Sequence, residues 1–327
     1  MSKTQFQIIE AGLSSGPASP RMSAQDAALA VIAEDLDGGR INAADNVIIQ
    51  VPAPLIVPYS FVLHVAFARS ARPQHPASCP LCLPVIKASG QSYIALEFPE
   101  GCLLALANPY PYLPVCITWA FYDHLPQNCG KARPESIWHC VLKMMLRLCS
   151  EIPGHVIGFN EVVGNSLDHL HLVSHRPPAG LAPYAAQQMA EHLDAQYGAT
   201  HIGPENGYPT DLWRLSSSDL GALARAALGV IAEWQEIGGS TASVNCAAVL
   251  ENELPTLYIF PRSLLLTPWG WSAKPAILEM LGVFIASTSA PMERVRRGLW
   301  GHDHFFQVLS SLRPRSAGRV SSSIRLT

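Results

Sequence analysis

Two histidines stand two residues apart in Leu167-Asp168-His169-Leu170-His171-Leu172-Val173. Apolar alternation of period two predicts a strand over 169–173 with both imidazoles on one face. Side by side, they could share a metal, hold a phosphate, or divide into ligand and nucleophile. They could equally be one satisfied core histidine and one incidental neighbour. Just upstream, Asn160 and the turn Gly164-Asn165-Ser166 offer hydrogen-bond donors. Far upstream, Cys79-Pro80-Leu81-Cys82 has the gap that lets two thiolates reach one tetrahedral metal, although a redox pair or two packed cysteines share that spacing. His124 closes a predicted strand over 115–121. With Cys79, Cys82 and His169 it completes a Cys2His2 set, the donors of a closed structural Zn2+ site. Cysteines 102, 116, 129, 140, 149 and 246 fall mostly in apolar strands or helices, where Cys packs as a small hydrophobe.

The elements that must position these residues are legible from periodicity and caps. Residues 1–22, rich in Ser, Gly and Pro, predict a loose lead-in. Ser23 is the N-cap of a predicted helix over 23–35. Residues 46–51 and 61–68 predict strands, joined by an extended segment through Pro52, Pro54 and Pro58. A hairpin pairs 93–98 with 102–107 around Pro99-Glu100-Gly101. Asn108-Pro109-Tyr110-Pro111 opens a rigid loop before the strand 115–121. Helices follow over 134–150, 185–197, 218–235 and 292–300, with strands over 156–159, 242–250 and 256–261. Residues 276–285 suit either element, and the tail after Arg313 is expected to be mobile. Strands that pair locally, interleaved with helices, make an α+β chain.

The ordered set of motifs resembles the histidine-triad superfamily, specifically the transferase branch. That branch includes galactose-1-phosphate uridylyltransferase, dinucleoside tetraphosphate phosphorylase and GDP-hexose phosphorylase. Cys79-Pro80-Leu81-Cys82, Asn108, His124, Asn160, Gly164-Asn165-Ser166 and His169-Leu170-His171 occur in the branch's order. The match is good over about 60–176 and looser through Leu257–Arg262 and Ile277–Gly282. The resemblance implies a duplicated fold, with antiparallel sheets covered by helices. It divides the chain into a lead-in and helix (1–50), a catalytic half with the zinc knuckle (51–180), a second half (181–313) and a mobile tail (314–327).

It also implies chemistry. His171 would be the nucleophile that takes a nucleoside monophosphate from a nucleotide sugar or dinucleoside polyphosphate. Inorganic phosphate or a sugar phosphate would then accept the nucleotide. His169 would be a metal ligand; Asn160, Gly164 and Ser166 would form the phosphate turn; Asn108 would face the ribose. The third triad position is Val173, which has no hydrogen bond to give. His175, two residues on, is the candidate substitute. Valine there also admits a hydrolase or a nucleotide-binding protein without turnover. Arg262 could reach a substrate phosphate, or stand solvated at a strand end.

Composition narrows the field. The chain has 327 residues, 49% hydrophobic and 14% charged, with net charge −3 and no basic run. A broad nucleic-acid face is not expected. No apolar stretch reaches the roughly 18 residues of a membrane span, and no signal-like segment leads the chain, so a cytoplasmic protein is expected. Low charge leans towards a homodimer. The second pair His302-Asp303-His304 reads more readily as surface or packing than as a metal site, and Trp269-Gly270-Trp271 as a ligand wall or a loop anchor. No phosphate-binding P-loop, dinucleotide fingerprint or serine-hydrolase elbow occurs.

Overall fold

The computed structural model describes residues 4–14, 16, 19–41, 47–54, 57–66, 78–111, 113, 115–127, 134–164, 167–177, 184–193, 198–271 and 275–320. Its first part runs β1 (Phe6–Gly12), β2 (Arg21–Met22), α1 (Ala24–Asp37), β3 (Val47–Val51), β4 (Phe61–Val65), α2 (Leu83–Ser89), β5 (Tyr93–Phe98), β6 (Gly101–Ala107), β7 (Val115–Phe121), α3 (Glu135–Glu151), β8 (Val156–Asn160) and β9 (His171–Arg176). The rest runs α4 (Ala185–His192), β10 (Gly198–Ile202), β11 (Leu212–Ser216), α5 (Leu220–Gly238), β12 (Ala242–Glu251), β13 (Leu254–Ser263), α6 (Ile277–Met280), β14 (Val283–Ala286), α7 (Ala290–Arg296) and α8 (His302–Ser310).

Among the described residues, eleven strands make one antiparallel sheet in the order β10-β11-β13-β12-β8-β9-β7-β6-β5-β1-β2. The α+β class and antiparallel pairing are as expected, but the two parts of the chain share a single sheet. The seam is β8 against β12, with Asn160 opposite Asn245 and Gly158 opposite Ala247. On either side the same connection recurs: β7–α3–β8–β9, with β9 between β7 and β8, is matched by β11–α5–β12–β13, with β13 between β11 and β12. A second, small sheet pairs β4 with β3 antiparallel and with β14 in parallel.

Local chemistry explains the boundaries. Ser23 caps α1 by accepting from the Asp26 amide at 3.1 Å, and Asp219 caps α5 by accepting from Gly221 and Ala222 at 2.8 and 3.0 Å. The β12–β13 hairpin turns on two residues, Asn252 and Glu253, both at positive φ, the conformation that suits the strands' twist.

Two regions differ from expectation. The lead-in is not loose over 6–12: β1 pairs with β5 and buries Phe6 against Phe98. Residues 314–320 of the expected tail are packed, with Ala317 and Val320 buried in the core; 321–327 lie outside the described residues. Residues 276–285 divide into α6 and β14.

One face of the large sheet is covered by α1, α3 and α5, with Trp119, Trp138, Trp213 and Trp234 in that core. The other face has two covers. The Cys79–Cys82 knuckle and α2 cover β5–β7 through Leu81, Ile86, Leu104 and Ala120. The small sheet, α4, α6 and α8 cover β12 and β13. Across β7 and β9, Ala120 opposite His171 belongs to the first cover, and Cys116 opposite His175 to the second. Between them lie Thr118, Val173 and Gly158. That strip of sheet carries the candidate site.

Candidate functional site

Cys79, Cys82, His124 and His169 converge, their ligand atoms all within 4.8 Å of one another. Cys79 Sγ lies 3.3 Å from His169 Nδ1, and Cys82 Sγ 3.1 Å from His124 Nδ1 and 3.7 Å from His169 Nδ1. A tetrahedral ion at ordinary Zn–S and Zn–N lengths places sulfur and nitrogen about 3.5 Å apart, so the set fits such an ion. The tautomer fits as well. His169 Nε2–H donates to the Phe121 carbonyl at 2.8 Å, leaving the Nδ1 lone pair towards the thiols. Burial lowers the His169 pKa, which favours the neutral, metal-ready ring, and burial followed by the neighbouring Cys79 thiol pushes Cys82 up to about 11.

His169 does not lie in the strand. It is fully buried in the bend before β9 and turns towards the cysteines, whereas His171 is the strand's first residue. The expectation of both rings on one strand face is corrected by that bend. His171 Nδ1–H donates to the His169 carbonyl at 2.7 Å. The neutral ring therefore carries its lone pair on Nε2.

Gln127 is the residue sequence reasoning missed. It is fully buried; its Oε1 accepts from the His171 amide at 2.8 Å and its Nε2 donates to the Asn160 carbonyl. Pairing of β8 with β9 runs from Val156 opposite His175 to Gly158 opposite Val173 and then stops. In continued register Asn160 would face His171. The side-chain amide of Gln127 occupies that rung, holding the mouth of the two strands apart while satisfying both backbones. A glutamine in Pro126-Gln127-Asn128 has no spacing that marks it.

The loop after β8 is fixed to β12. Val162 and Val163 amides donate to Ser243 Oγ, both at 3.3 Å, and Glu161 Oε2 accepts from the Val244 amide at 3.1 Å. Gly164, at φ +84°, lies so close to residues 275–276 that a Cβ would meet the Ala276 Cα at 2.7 Å. Asn160 Oδ1 accepts from Asn245 Nδ2 at 2.9 Å and from the Ile277 amide at 2.8 Å.

Other expected site residues lie elsewhere. Arg262 is 1% exposed. It donates to Asn245 Oδ1 and to the Pro275 carbonyl, and burial lowers its pKa to about 10. His175 shares the face of His171 but is fully buried against the Tyr184 hydroxyl at 3.1 Å; burial, then His155, lowers it to about 3. Asn108 Oδ1 accepts from the Tyr110 amide at 2.9 Å, a local turn. Ser166 lies outside the described residues. Val173 and Ile277 cover Gly158, where a Cβ would meet Ile277 Cγ2 at 2.7 Å.

The remaining motifs pack. His302 stacks on Phe61, His304 on Trp300, and Trp271 lies against Phe284 and Phe305. A second convergence, His201 with Glu205 and Asp211, is an ion-pair network in which Arg313 holds Asp211 at 2.7 Å. Among the described residues no helix is long and apolar enough to cross a membrane.

No protein-family model matches the chain, and no curated protein matches it in sequence. Solved structures do match. The yeast Ap4A phosphorylase Apa2 in complex with Ap4A superposes with a TM-score of 0.65 at 12% identity, over 90% of this chain and 100% of that one. Apa2 in complex with AMP gives 0.65 at 13%, over 90% and 99%. At such identity the likeness is one of fold. The chain thus shares, over nine-tenths of its length, the fold of a yeast Ap4A phosphorylase, in accord with the histidine-triad transferase branch its motifs resemble.

Proposed function

We propose that this chain is a nucleotidyltransferase of the phosphorylase type, acting on a dinucleoside polyphosphate or nucleotide sugar through a nucleotidyl-His171 intermediate. The observation that carries the reading is the Nδ1–H donation from His171 to the His169 carbonyl. It orients the ring and leaves the Nε2 lone pair as the nucleophile, on the strand whose first residue Asn160 would face in continued register. Nε2 attacks the α-phosphorus; the P–O anhydride bond breaks and its electron pair leaves with the departing phosphate chain. An oxygen of inorganic phosphate or of a sugar phosphate then attacks. The P–N bond breaks, and the imidazole returns neutral.

Asn160 Nδ2 and the loop through Gly164 supply hydrogen bonds to the phosphate oxygens, where charge must be held. Cys79, Cys82, His124 and His169 would hold a structural zinc ion. When bound it ties the knuckle to the end of β7 and to the bend before β9.

One observation favours a second reading, nucleotide binding without turnover. Val173, beside His171 on the same face, is packed with Ile277 over Gly158 and has no donor. Intact mass after incubation with Ap4A and with nucleotide sugars separates the two. A gain of one nucleoside monophosphate in wild type, absent in His171→Ala, is expected. Binding of AMP with no gain for any donor would leave the second reading standing.

A further inference from the structure

Arg262 and Asn245 are buried polar residues behind the proposed site, contributed by β13 and β12. Asn245 is fully buried and uses every one of its side-chain hydrogen-bonding groups in a definite direction. Its two Nδ2 hydrogens go to Asn160 Oδ1 and to the Val163 carbonyl, both at 2.9 Å. Its Oδ1 accepts from Arg262 Nη1. Because a guanidinium can only donate, Arg262 forces Asn245 to present oxygen to it and nitrogen to Asn160. Asn160 must in turn present Oδ1 to Asn245, and the Ile277 amide, donating to the same oxygen at 2.8 Å, demands the same. An amide that could face either way is thereby set one way. Among the described residues, Asn160 Nδ2 has no protein partner.

We infer that Asn245, held by Arg262, is a positioning residue that fixes the Asn160 amide with its N–H donors towards the substrate phosphate. Arg262 acts on the phosphate through two side chains rather than by touching it. The inference deepens the proposed function and rests on it, since it takes the ligand to be a phosphate-bearing nucleoside. It also gives the second part of the chain a task at a site whose nucleophile lies in the first. Without the relay the Asn160 oxygen keeps only the Ile277 amide, and the amide turns its carbonyl more readily to an anionic phosphate, which repels it.

The test compares AMP with adenosine by isothermal titration. Asn245→Leu is neutral and close in size, so it adds no charge near the ligand. The double variant Asn245→Leu/Arg262→Met removes the guanidinium that Asn245→Leu leaves without its acceptor, and apolar replacements of buried polar pairs commonly fold. For both variants AMP affinity is expected to fall about tenfold, the scale of one hydrogen bond to a charged group, while adenosine affinity stays within twofold. A merely structural role would move both ligands together or neither. Equal losses, or an unchanged AMP affinity in the folded double variant, overturn the relay while the nucleotide site stands. Wild-type protein that binds no AMP overturns the proposed function, and the relay with it.

Discussion

At the scale of residues, the site is built by pairing each polar group with a partner that admits one orientation. Phe121 sets the tautomer of His169, the His169 carbonyl sets that of His171, and Gln127 holds the His171 main chain. Gln127→Met keeps the volume but strands the His171 amide and the Asn160 carbonyl, both half-buried. Loss of the two hydrogen bonds should cost about 2–3 kcal/mol and slow formation of the nucleotidyl adduct at saturating Ap4A by at least tenfold. Urea titration and single-turnover mass measurements check the two effects. An adduct rate within twofold of wild type would show that the strand mouth keeps its shape unaided. The residues legible in the sequence were those with a spacing: Cys79 and Cys82, His169 and His171, and His124 at a strand end. Gln127 and Asn245 have none. Their partners lie 44 and 85 positions away, and only strand register brings them together. Arg262 was visible as a cation near the site, but its burial depends on Pro275 and Asn245, which a linear reading does not place.

At the scale of elements, most of the framework was legible because its signals are local. The β5–β6 hairpin turns at Pro99-Glu100, α1 begins at Ser23, and α5 has an apolar face. The failures are equally physical. β1 sits in a Ser-, Gly- and Pro-rich stretch, and pairing with β5 and β2, which that stretch does not announce, makes it a strand. β9 begins two residues late because His169 turns out of the alternation pattern towards Cys79 and Cys82. The metal set also joins three separate elements: the knuckle before α2, the end of β7 and the bend before β9. Because His171 Nδ1 leans on the carbonyl of His169, a member of the candidate metal set, removing a bound ion should loosen the proposed nucleophile as well as the knuckle. Dialysis against a strong chelator is expected to lower Tm by several degrees, to expose Cys79 and Cys82 to alkylation, and to be reversed by added zinc. Elemental analysis should find about one zinc per chain. A chain free of metal whose Tm and thiol reactivity do not respond to zinc would remove zinc from the site.

At the scale of the whole molecule, the core holds several histidines as neutral rings. His64 in β4 is 1% exposed, and among the described residues neither of its ring nitrogens has a partner. Burial lowers its pKa to about 4. His155 is lowered to about 4 by burial and then Arg176, and His175 to about 3 by burial and then His155. Each folded pKa lies below the unfolded value of about 6.5, so the unfolded chain binds more protons as the solution is acidified. The stabilisation is complete above pH 6.5 and is lost as pH falls from there towards 4. Within that window each ring contributes a slope of about 1.4 kcal/mol per pH unit. Three together take roughly 5 kcal/mol between pH 6.5 and 5 by the same relation, comparable with the whole stability of an ordinary domain. Tm should therefore drop by about 10 °C or more between pH 7 and pH 5. His64→Leu identifies the source. It removes an unpartnered polar ring from an apolar site, so it should raise Tm at pH 7 and flatten the slope by about a third. If the mutant and wild type lose stability in parallel across the window, the acid sensitivity belongs to other groups, and His155 with His175 of β9 is the next pair to replace.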